Sequence, residues 1–220
     1  MYLWRVVAFF RFFRRIRPVD TGPDPGRIDH SAASHLFSFP EHAPLNRPVQ
    51  GPAATETLFP LPPLTIISGG QTGVDRAALD AALQHHIPIG GWCPRERRAE
   101  DGAIPDVYPL RSTTSRSYAV RTEWNVRDSD GTLILLYGPL SSGTRLTLES
   151  ARTQNRPFLV IQLDAPKNSS ADQPATVAAW LSLNKIRVLN VAGPRGSSSP
   201  RIYPLALEFL CRLLQTLHSH

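Results

Sequence analysis

Short runs of apolar residues alternate with longer amphipathic segments from about residue 64 onward. The clearest run is Thr132–Tyr137 (TLILLY), and similar runs occur at Leu64–Ser68, Phe158–Leu163 and Ile186–Val191. A further strand is predicted over Ile87–Trp92, and a helix opened by a serine cap is predicted over Ser115–Asp128. Strands that are apolar at successive positions are typical of a parallel sheet covered by helices on both faces. The alternation therefore predicts an α/β fold, a three-layer Rossmann-like arrangement with a doubly wound, mostly parallel sheet.

The first 63 residues lack this alternation and contain 10 of the 21 prolines. Proline-rich chain without hydrophobic periodicity seldom forms a core. We therefore predict a non-globular, disordered Arg/Pro-rich extension over residues 1–63 and one Rossmann-like ligand-binding domain over residues 64–220. Residues 1–17 mix aromatic residues with arginines, so a membrane-surface helix is an alternative there. Arg5 and Arg11 leave too short an apolar run for a transmembrane segment.

The net charge of +6 comes mostly from arginine. The arginine fork matches phosphate, so a small anionic ligand is expected. The sequence contains no long basic stripe and no aromatic–basic RNA motif, so nucleic-acid binding is not expected.

The only cysteines, Cys93 and Cys211, lack zinc spacing, which predicts no metal site and a reducing, cytoplasmic location. We expect Cys93 to be a small buried hydrophobic residue.

Three predicted strands end in loops of small residues, with the sequences SGGQTG, GPLSSGT and AGPRGSSS. In a parallel sheet these loops emerge at one edge, where backbone N–H groups and helix N-termini can bind an anion. The first loop matches neither the P-loop pattern nor Gly-x-Gly-x-x-Gly. The candidate ligand-binding residues are Gly69, Gly70, Gln71, Thr72, Gly73, Arg76, Ser142, Gly143, Thr144, Gly193, Arg195 and Ser197. Asp75, at the start of the following helix, is expected to be a cap that binds backbone N–H groups.

Five segments occur in order along the predicted domain, with the sequences SGGQTGVDRAALDAAL, GGWCPRERRAEDGAIPDVYPL, RTEWNVRDSDGTLIL, GPLSSGTRLT and IRVLNVAGPRGSSSPRIY. Together they resemble the molybdenum-cofactor carrier protein family, and the similarity runs from Leu64 to Leu214. This family belongs to a Rossmann-like superfamily that includes the lysine-decarboxylase-like nucleotide phosphoribohydrolases. The resemblance implies a homo-oligomer that binds and protects the molybdenum cofactor (Mo-molybdopterin) as a carrier or storage protein, with molybdoenzymes as partners.

One position separates this chain from the related phosphoribohydrolases, whose pattern Pro-Gly-Gly-x-Gly-Thr-x-x-Glu contains the catalytic glutamate. Thr147 stands in the place of that glutamate, and Glu149 follows two residues later, about 200° further around the helix. We therefore predict no catalytic residues and no enzymatic activity. The alternatives are a nucleotide-binding protein without catalysis and an enzyme that cleaves the base from nucleoside monophosphates.

Overall fold

The computed structural model describes residues 63–164 and 173–218, so the predicted extension lies outside the described residues except for Pro63. This part of the chain contains nine strands and five α-helices, and the second to sixth strands, all short, follow one another between the first two helices. The strands are β1 (Thr65–Ile67), β2 (Ile89–Gly90), β3 (Trp92–Cys93), β4 (Arg98–Ala99), β5 (Gly102–Ala103), β6 (Arg111–Ser112), β7 (Gly131–Leu136), β8 (Phe158–Gln162) and β9 (Val188–Ala192). The helices are α1 (Val74–Gln84), α2 (Tyr118–Arg127), α3 (Ser142–Thr153), α4 (Gln173–Leu183) and α5 (Ile202–His218).

The central sheet has the strand order β2-β1-β9-β7-β8, and all its neighbouring strands are parallel. The last strand of the chain thus lies in the middle of the sheet. If β9 is counted first, the order becomes 3-2-1-4-5, as in doubly wound nucleotide-binding folds. Pro63 and His218 line one apolar cavity, so the two ends of this domain are close together. The topology is therefore a circular permutation of a doubly wound sheet.

The helices form two groups on the basis of their contacts. Helix α5 packs against α1 and α4, whereas α2 packs against α3. The main core lies between the first group and the sheet and includes the fully buried Leu133, Leu189 and Leu210. This arrangement confirms the predicted α/β, Rossmann-like fold with a parallel sheet. None of the helices in the described part of the chain is long and apolar enough to span a membrane.

Two predicted elements differ from those observed, each for a local reason. The predicted strand Ile87–Trp92 is divided into β2 and β3 by Gly91, which has a φ of 121°. A Cβ atom at Gly91 would lie 2.3 Å from the Ser68 carbonyl oxygen. The helix predicted to begin near Ser115 begins at Tyr118, because the Ser117 hydroxyl accepts a hydrogen bond from the Ala119 N–H.

A flap, which we define as residues 94–110, connects β3 to β6. It contains a 3₁₀ turn, Arg95–Arg97, and a small antiparallel hairpin of β4 and β5. Cys93 is fully buried beside the flap, as predicted for a small hydrophobic residue. The flap packs on the domain through a second apolar cluster, which consists of Leu79, Cys93, Ala99, Ile104, Tyr108 and Leu110.

Candidate functional site

The first and third small-residue loops contact each other at the carboxyl edge of the sheet. The Val74 N–H donates to the Pro194 carbonyl at 3.2 Å, and the Gly196 N–H donates to the Thr72 hydroxyl at 3.0 Å. Gly73 has a φ of 80°, and a Cβ there would lie 2.4 Å from the Pro194 carbonyl oxygen. The glycine at position 73 is therefore required by the contact between the loops, whatever ligand they bind.

A cavity of about 250 Å³ opens where these loops meet the second loop. It lies beside β9 and β7, the two strands at which the strand order reverses, which is where ligands bind in doubly wound sheets. Both apolar and polar groups line it, and the polar groups predominate. The lining residues are Gln71, Asp75, Tyr118, Arg121, Thr122, Ser141, Ser142, Gly143, Leu146, Thr147, Ala192, Gly193, Arg195 and Ser198.

A buried ion pair forms one wall of this cavity. Nη1 of Arg121 lies 2.8 Å from Oδ2 of Asp75, and the two side chains are 15% and 4% exposed. Burial raises the pKa of Asp75, and Arg121 opposes that rise by its positive charge. The Nε atom of Arg121 is buried and has no hydrogen-bond partner among the described residues. An unsatisfied charged donor in a cleft is suited to an anionic ligand.

Gly69 makes room for this arginine. A Cβ atom at position 69 would lie 1.6 Å from Nη1 of Arg121. Gly193 is equally constrained, since its Cβ would meet the Leu135 carbonyl oxygen at 2.4 Å. The small residues of the first and third loops thus allow close packing of protein groups around the cavity.

The second loop presents the N-terminus of α3 to the cavity. The Ser141 hydroxyl accepts a hydrogen bond from the Thr144 N–H at 3.3 Å and also pairs with the Thr144 hydroxyl at 2.9 Å. Thr144 is therefore buried as part of the helix cap. Ser142 and Gly143, in the first turn, line the cavity. A helix N-terminus carries a partial positive charge, which stabilises a bound anion.

The carboxylate of Glu100, at the tip of the flap hairpin, already occupies donors of the first and third loops. Oε1 accepts hydrogen bonds from the Thr72 hydroxyl and from the Ser197 N–H, the latter at 3.0 Å. Oε2 accepts from the Ser197 hydroxyl and lies 3.3 Å from Nε of Arg195. Although burial raises the pKa of Glu100, the hydrogen bonds from Ser197 and Thr72 hold it below its usual value. The Nε–H of Arg195 donates to the Ser198 hydroxyl at 3.3 Å, so Arg195 contributes its charge while Thr72 and Ser197 contribute the hydrogen bonds. We call these groups of Thr72, Arg195 and Ser197 the carboxylate cradle.

Arg76 does not belong to the cavity lining. Its Nε donates to the Gly70 carbonyl at 2.7 Å, and Nη2 lies 3.2 Å from Oδ1 of Asp101. Gly70 has a φ of 73°, and a Cβ atom added at this position would lie 2.6 Å from Cδ1 of Leu110. Both residues therefore connect the first loop to the flap.

The predicted site residues are thus divided among three positions. Gln71, Ser142, Gly143, Gly193 and Arg195 line the cavity. Thr72 and Ser197 bind Glu100, while the remaining predicted residues belong to the walls, the helix cap or the contact with the flap. Sequence reasoning missed Arg121 and gave Asp75 only a capping role. A signal for Arg121 existed, because Arg121, Asn125 and Asp128 share one helix face at spacings of four and three.

Thr147 lies in the cavity wall, at the position where the related phosphoribohydrolases have their glutamate. Its side chain is buried, and its hydroxyl lies 3.5 Å from the Gly143 carbonyl oxygen. Glu149 is exposed and does not belong to the lining. Asp75 is therefore the one carboxylic acid among the lining residues. Within residues 63–164 and 173–218, no group of three His, Cys, Asp or Glu side chains is placed to hold a metal ion.

Comparison with known proteins gives one family and one solved structure. The model of the circularly permutated YpsA SLOG family matches residues 66–214. The chain is also similar to the protein in a 1.45 Å crystal structure, named "Putative molybdenum carrier protein", from Syntrophus aciditrophicus SB. The two chains are 45% identical, with 70% of this chain and 96% of the other covered and a TM-score of 0.66. No curated protein matches.

Proposed function

Because the chain belongs to the circularly permutated YpsA SLOG family, we propose that it binds and protects an anionic pterin, the molybdenum cofactor, as a carrier or storage protein. The observation that carries the proposal is one cleft lined by two arginines, Arg121 and Arg195, and by the first turn of α3. The name of the similar protein from S. aciditrophicus supports this cargo.

The chemistry of the lining fits such a cargo. The cofactor is a pterin with a phosphate, a dithiolene and an oxidised metal, so it is anionic at several points. Arginine forks and a helix N-terminus suit phosphate and metal-bound oxygen atoms. The dithiolene already supplies the ligands of the metal, so a lining without cysteine or histidine is compatible with it. The buried, unpartnered Nε of Arg121 adds a donor that this ligand could satisfy.

The resemblance to the carrier family is also the basis of three further parts of the proposal. We place the protein in the cytoplasm, as a homo-oligomer, and we regard molybdoenzymes as the recipients of the cargo.

Analysis of the full chain purified without added ligand tests the cargo. We expect molybdenum, measured by mass spectrometry, and an oxidised pterin, measured by fluorescence, to be present in equal amounts.

Arg195→Ala should weaken binding of the isolated cofactor by about 1.5–3 kcal/mol, the scale of a charge-assisted hydrogen bond. Arg212→Ala on α5 is the matched control, because Arg212 is exposed and is not part of the cavity lining.

Two results would contradict the carrier function. A purified protein that contains a nucleotide and no pterin would favour the nucleotide-binding alternative. An equal loss of affinity in Arg195→Ala and Arg212→Ala would show that overall charge, and not this cleft, determines binding.

The second candidate is hydrolysis of nucleoside monophosphates, which the buried carboxyl group of Asp75 in the cavity favours. Glycosidic cleavage requires a carboxylate placed against the sugar. The position that supplies it in the related enzymes is Thr147, and Asp75 is paired with Arg121. We therefore predict no release of free base from AMP, GMP, CMP or UMP, followed by chromatography. Release that disappears in Asp75→Asn, but persists in Glu149→Gln, would make the protein an enzyme.

A further inference from the structure

The carboxylate cradle has the form of a site for an oxyanion of a ligand. Three side chains and one backbone N–H converge on the two oxygen atoms of Glu100. These groups come from the two loops that meet at the carboxyl edge of the sheet. The side chain of Glu100 is only 18% exposed, so its carboxylate has exchanged water for these donors. A phosphate or sulfate oxygen accepts hydrogen bonds from the same kinds of donor.

The cradle and the cavity share a residue. Arg195 lies 3.3 Å from the Glu100 carboxylate and also lines the cavity. Gln71 lines the cavity as well, and its Oε1 accepts a hydrogen bond from the Glu100 N–H at 2.9 Å. An anion that enters the cavity therefore approaches the negative charge of Glu100. That charge is already paired with Arg195, one of the two arginines that line the cavity. Like charges that share a site repel each other, so ligand and Glu100 compete.

The segment that carries Glu100 is short. In the hairpin, Ala99 is paired with Gly102, so Glu100 and Asp101 form a two-residue turn. Two residues per strand form few ladder hydrogen bonds, and such short hairpins open locally at low free-energy cost. The turn is held to the first loop through Gln71 and through the ion pair of Asp101 with Arg76.

We propose that Glu100 is a built-in competitor for the ligand's anionic group, and that the cradle binds that group when the hairpin moves away. The proposal rests on the proposed function, because it assigns a second anion subsite and a means of regulation to the same cleft. The conformation of the flap then depends on whether a ligand occupies the cleft. The Glu100 carboxylate holds the flap closed when the cleft is empty, and a ligand oxyanion that replaces this carboxylate releases the flap.

Titration of the full-length protein with inorganic sulfate, followed by backbone amide NMR, tests this competition. Sulfate keeps its charge near neutral pH, and the Ser197 N–H signal reports the cradle while Ser142 and Gly143 report the first turn of α3. In Glu100→Ala we expect sulfate to bind at Ser197 at least about tenfold more tightly than in the wild type. Glu100 occupies the cradle in most wild-type molecules, and the apparent affinity is reduced by the fraction of protein that is competent to bind. Glu100→Gln, which keeps the size of the side chain, should bind with intermediate affinity.

Three further measurements make the test specific. Glu149→Gln removes the same charge from an exposed position of α3 and should change the affinity less than about twofold. Thr72→Val in the Glu100→Ala background should reverse most of the gain, because it removes one donor of the cradle. In the wild type, saturating sulfate should accelerate hydrogen exchange of the Glu100 amide, while exchange of the Leu133 amide in β7 stays unchanged.

The outcomes separate this proposal from the function on which it rests. Equal sulfate affinity in the wild type, Glu100→Gln and Glu100→Ala, with shifts only at Ser142 and Gly143, would overturn the competition and leave the anion-binding cleft. An absence of shifts at both positions in all three proteins would overturn the anion-binding cleft as well.

Discussion

Arg121→Ala is expected to lower the free energy of unfolding by about 3–5 kcal/mol at pH 7, the cost of removing one member of a buried ion pair. Removal of Arg121 takes away the salt-bridge partner of Asp75, whose side chain is only 4% exposed. The cleft also loses one of its two lining arginines, so anion binding should fall in the same variant. Chemical denaturation and ligand titration measure the two effects separately.

The loss of stability in Arg121→Ala should depend on pH in a defined direction. Burial already raises the pKa of Asp75 above its ordinary value of 3.8 in the folded wild type, and Arg121 lowers it in part. When the folded-state pKa exceeds the unfolded-state pKa, the folded protein binds more protons, so stability falls as pH rises through the folded-state pKa. Removal of Arg121 raises that pKa further. The difference in the free energy of unfolding between wild type and Arg121→Ala should therefore be largest at neutral pH and shrink as pH falls toward 4.

Two variants show whether the pair itself is responsible. Asp75→Asn combined with Arg121→Ala removes both charges and should recover much of the lost stability, because no buried charge remains unpaired. Arg127→Ala is a matched control on the same helix, since Arg127 is 51% exposed and pairs with the exposed Asp128. Arg127→Ala should change the free energy of unfolding by no more than about 1 kcal/mol. A pH-independent loss in Arg121→Ala would contradict the role assigned to Asp75.

The fold could be predicted from the sequence because its strands are apolar at successive positions. Thr132–Tyr137 indicates a strand buried on both faces, and the observed β7 is buried at all six positions. The order of the strands could not be predicted in the same way. The position of β9 between β1 and β7 depends on packing among helices distant in sequence. Periodicity identifies elements, but their neighbours are decided by tertiary contacts.

The site could be predicted only in part, because glycine has two structural uses. The glycine-rich loops correctly indicated the edge of the sheet at which the cavity lies. Gly69 and Gly193, however, provide space for Arg121 and for the Leu135 carbonyl rather than a bare surface for a ligand. A glycine in the sequence indicates a close approach without showing what approaches.

Glu100 could not have been assigned to the site from the sequence. It belongs to a polar stretch, ERRAEDG, whose sequence is equally compatible with every charged side chain extending into solvent. Its contact with Ser197 joins residues that are 97 positions apart. Only the flap's conformation, which is stabilised by Arg97 and by the cluster around Ile104, brings this carboxylate to the third loop.

Arg97→Ala is expected to accelerate hydrogen exchange of the Ile104 amide by about 100-fold or more, while the Leu133 amide in β7 remains protected. The Arg97 side chain is 23% exposed, and its guanidinium donates hydrogen bonds to four backbone carbonyls of the flap. Bonds from a charged group contribute about 1.5–3 kcal/mol each, so their joint loss should make local opening at least about 3 kcal/mol easier. The four acceptors are the carbonyl oxygens of Ile104, Pro105, Tyr108 and Leu110.

The adjacent Arg98 provides the control for this prediction. Arg98 is exposed, and its guanidinium lies 5.4 Å from the centre of the Tyr118 ring, a contact worth about 0.5–1 kcal/mol at such a site. Arg98→Ala should therefore leave the flap amides protected. If Glu100 competes with the ligand, Arg97→Ala should also bind sulfate more tightly, because a loosened flap no longer holds the carboxylate in its cradle. Fast exchange without tighter binding would mean that Glu100 stays in the cradle independently of the flap.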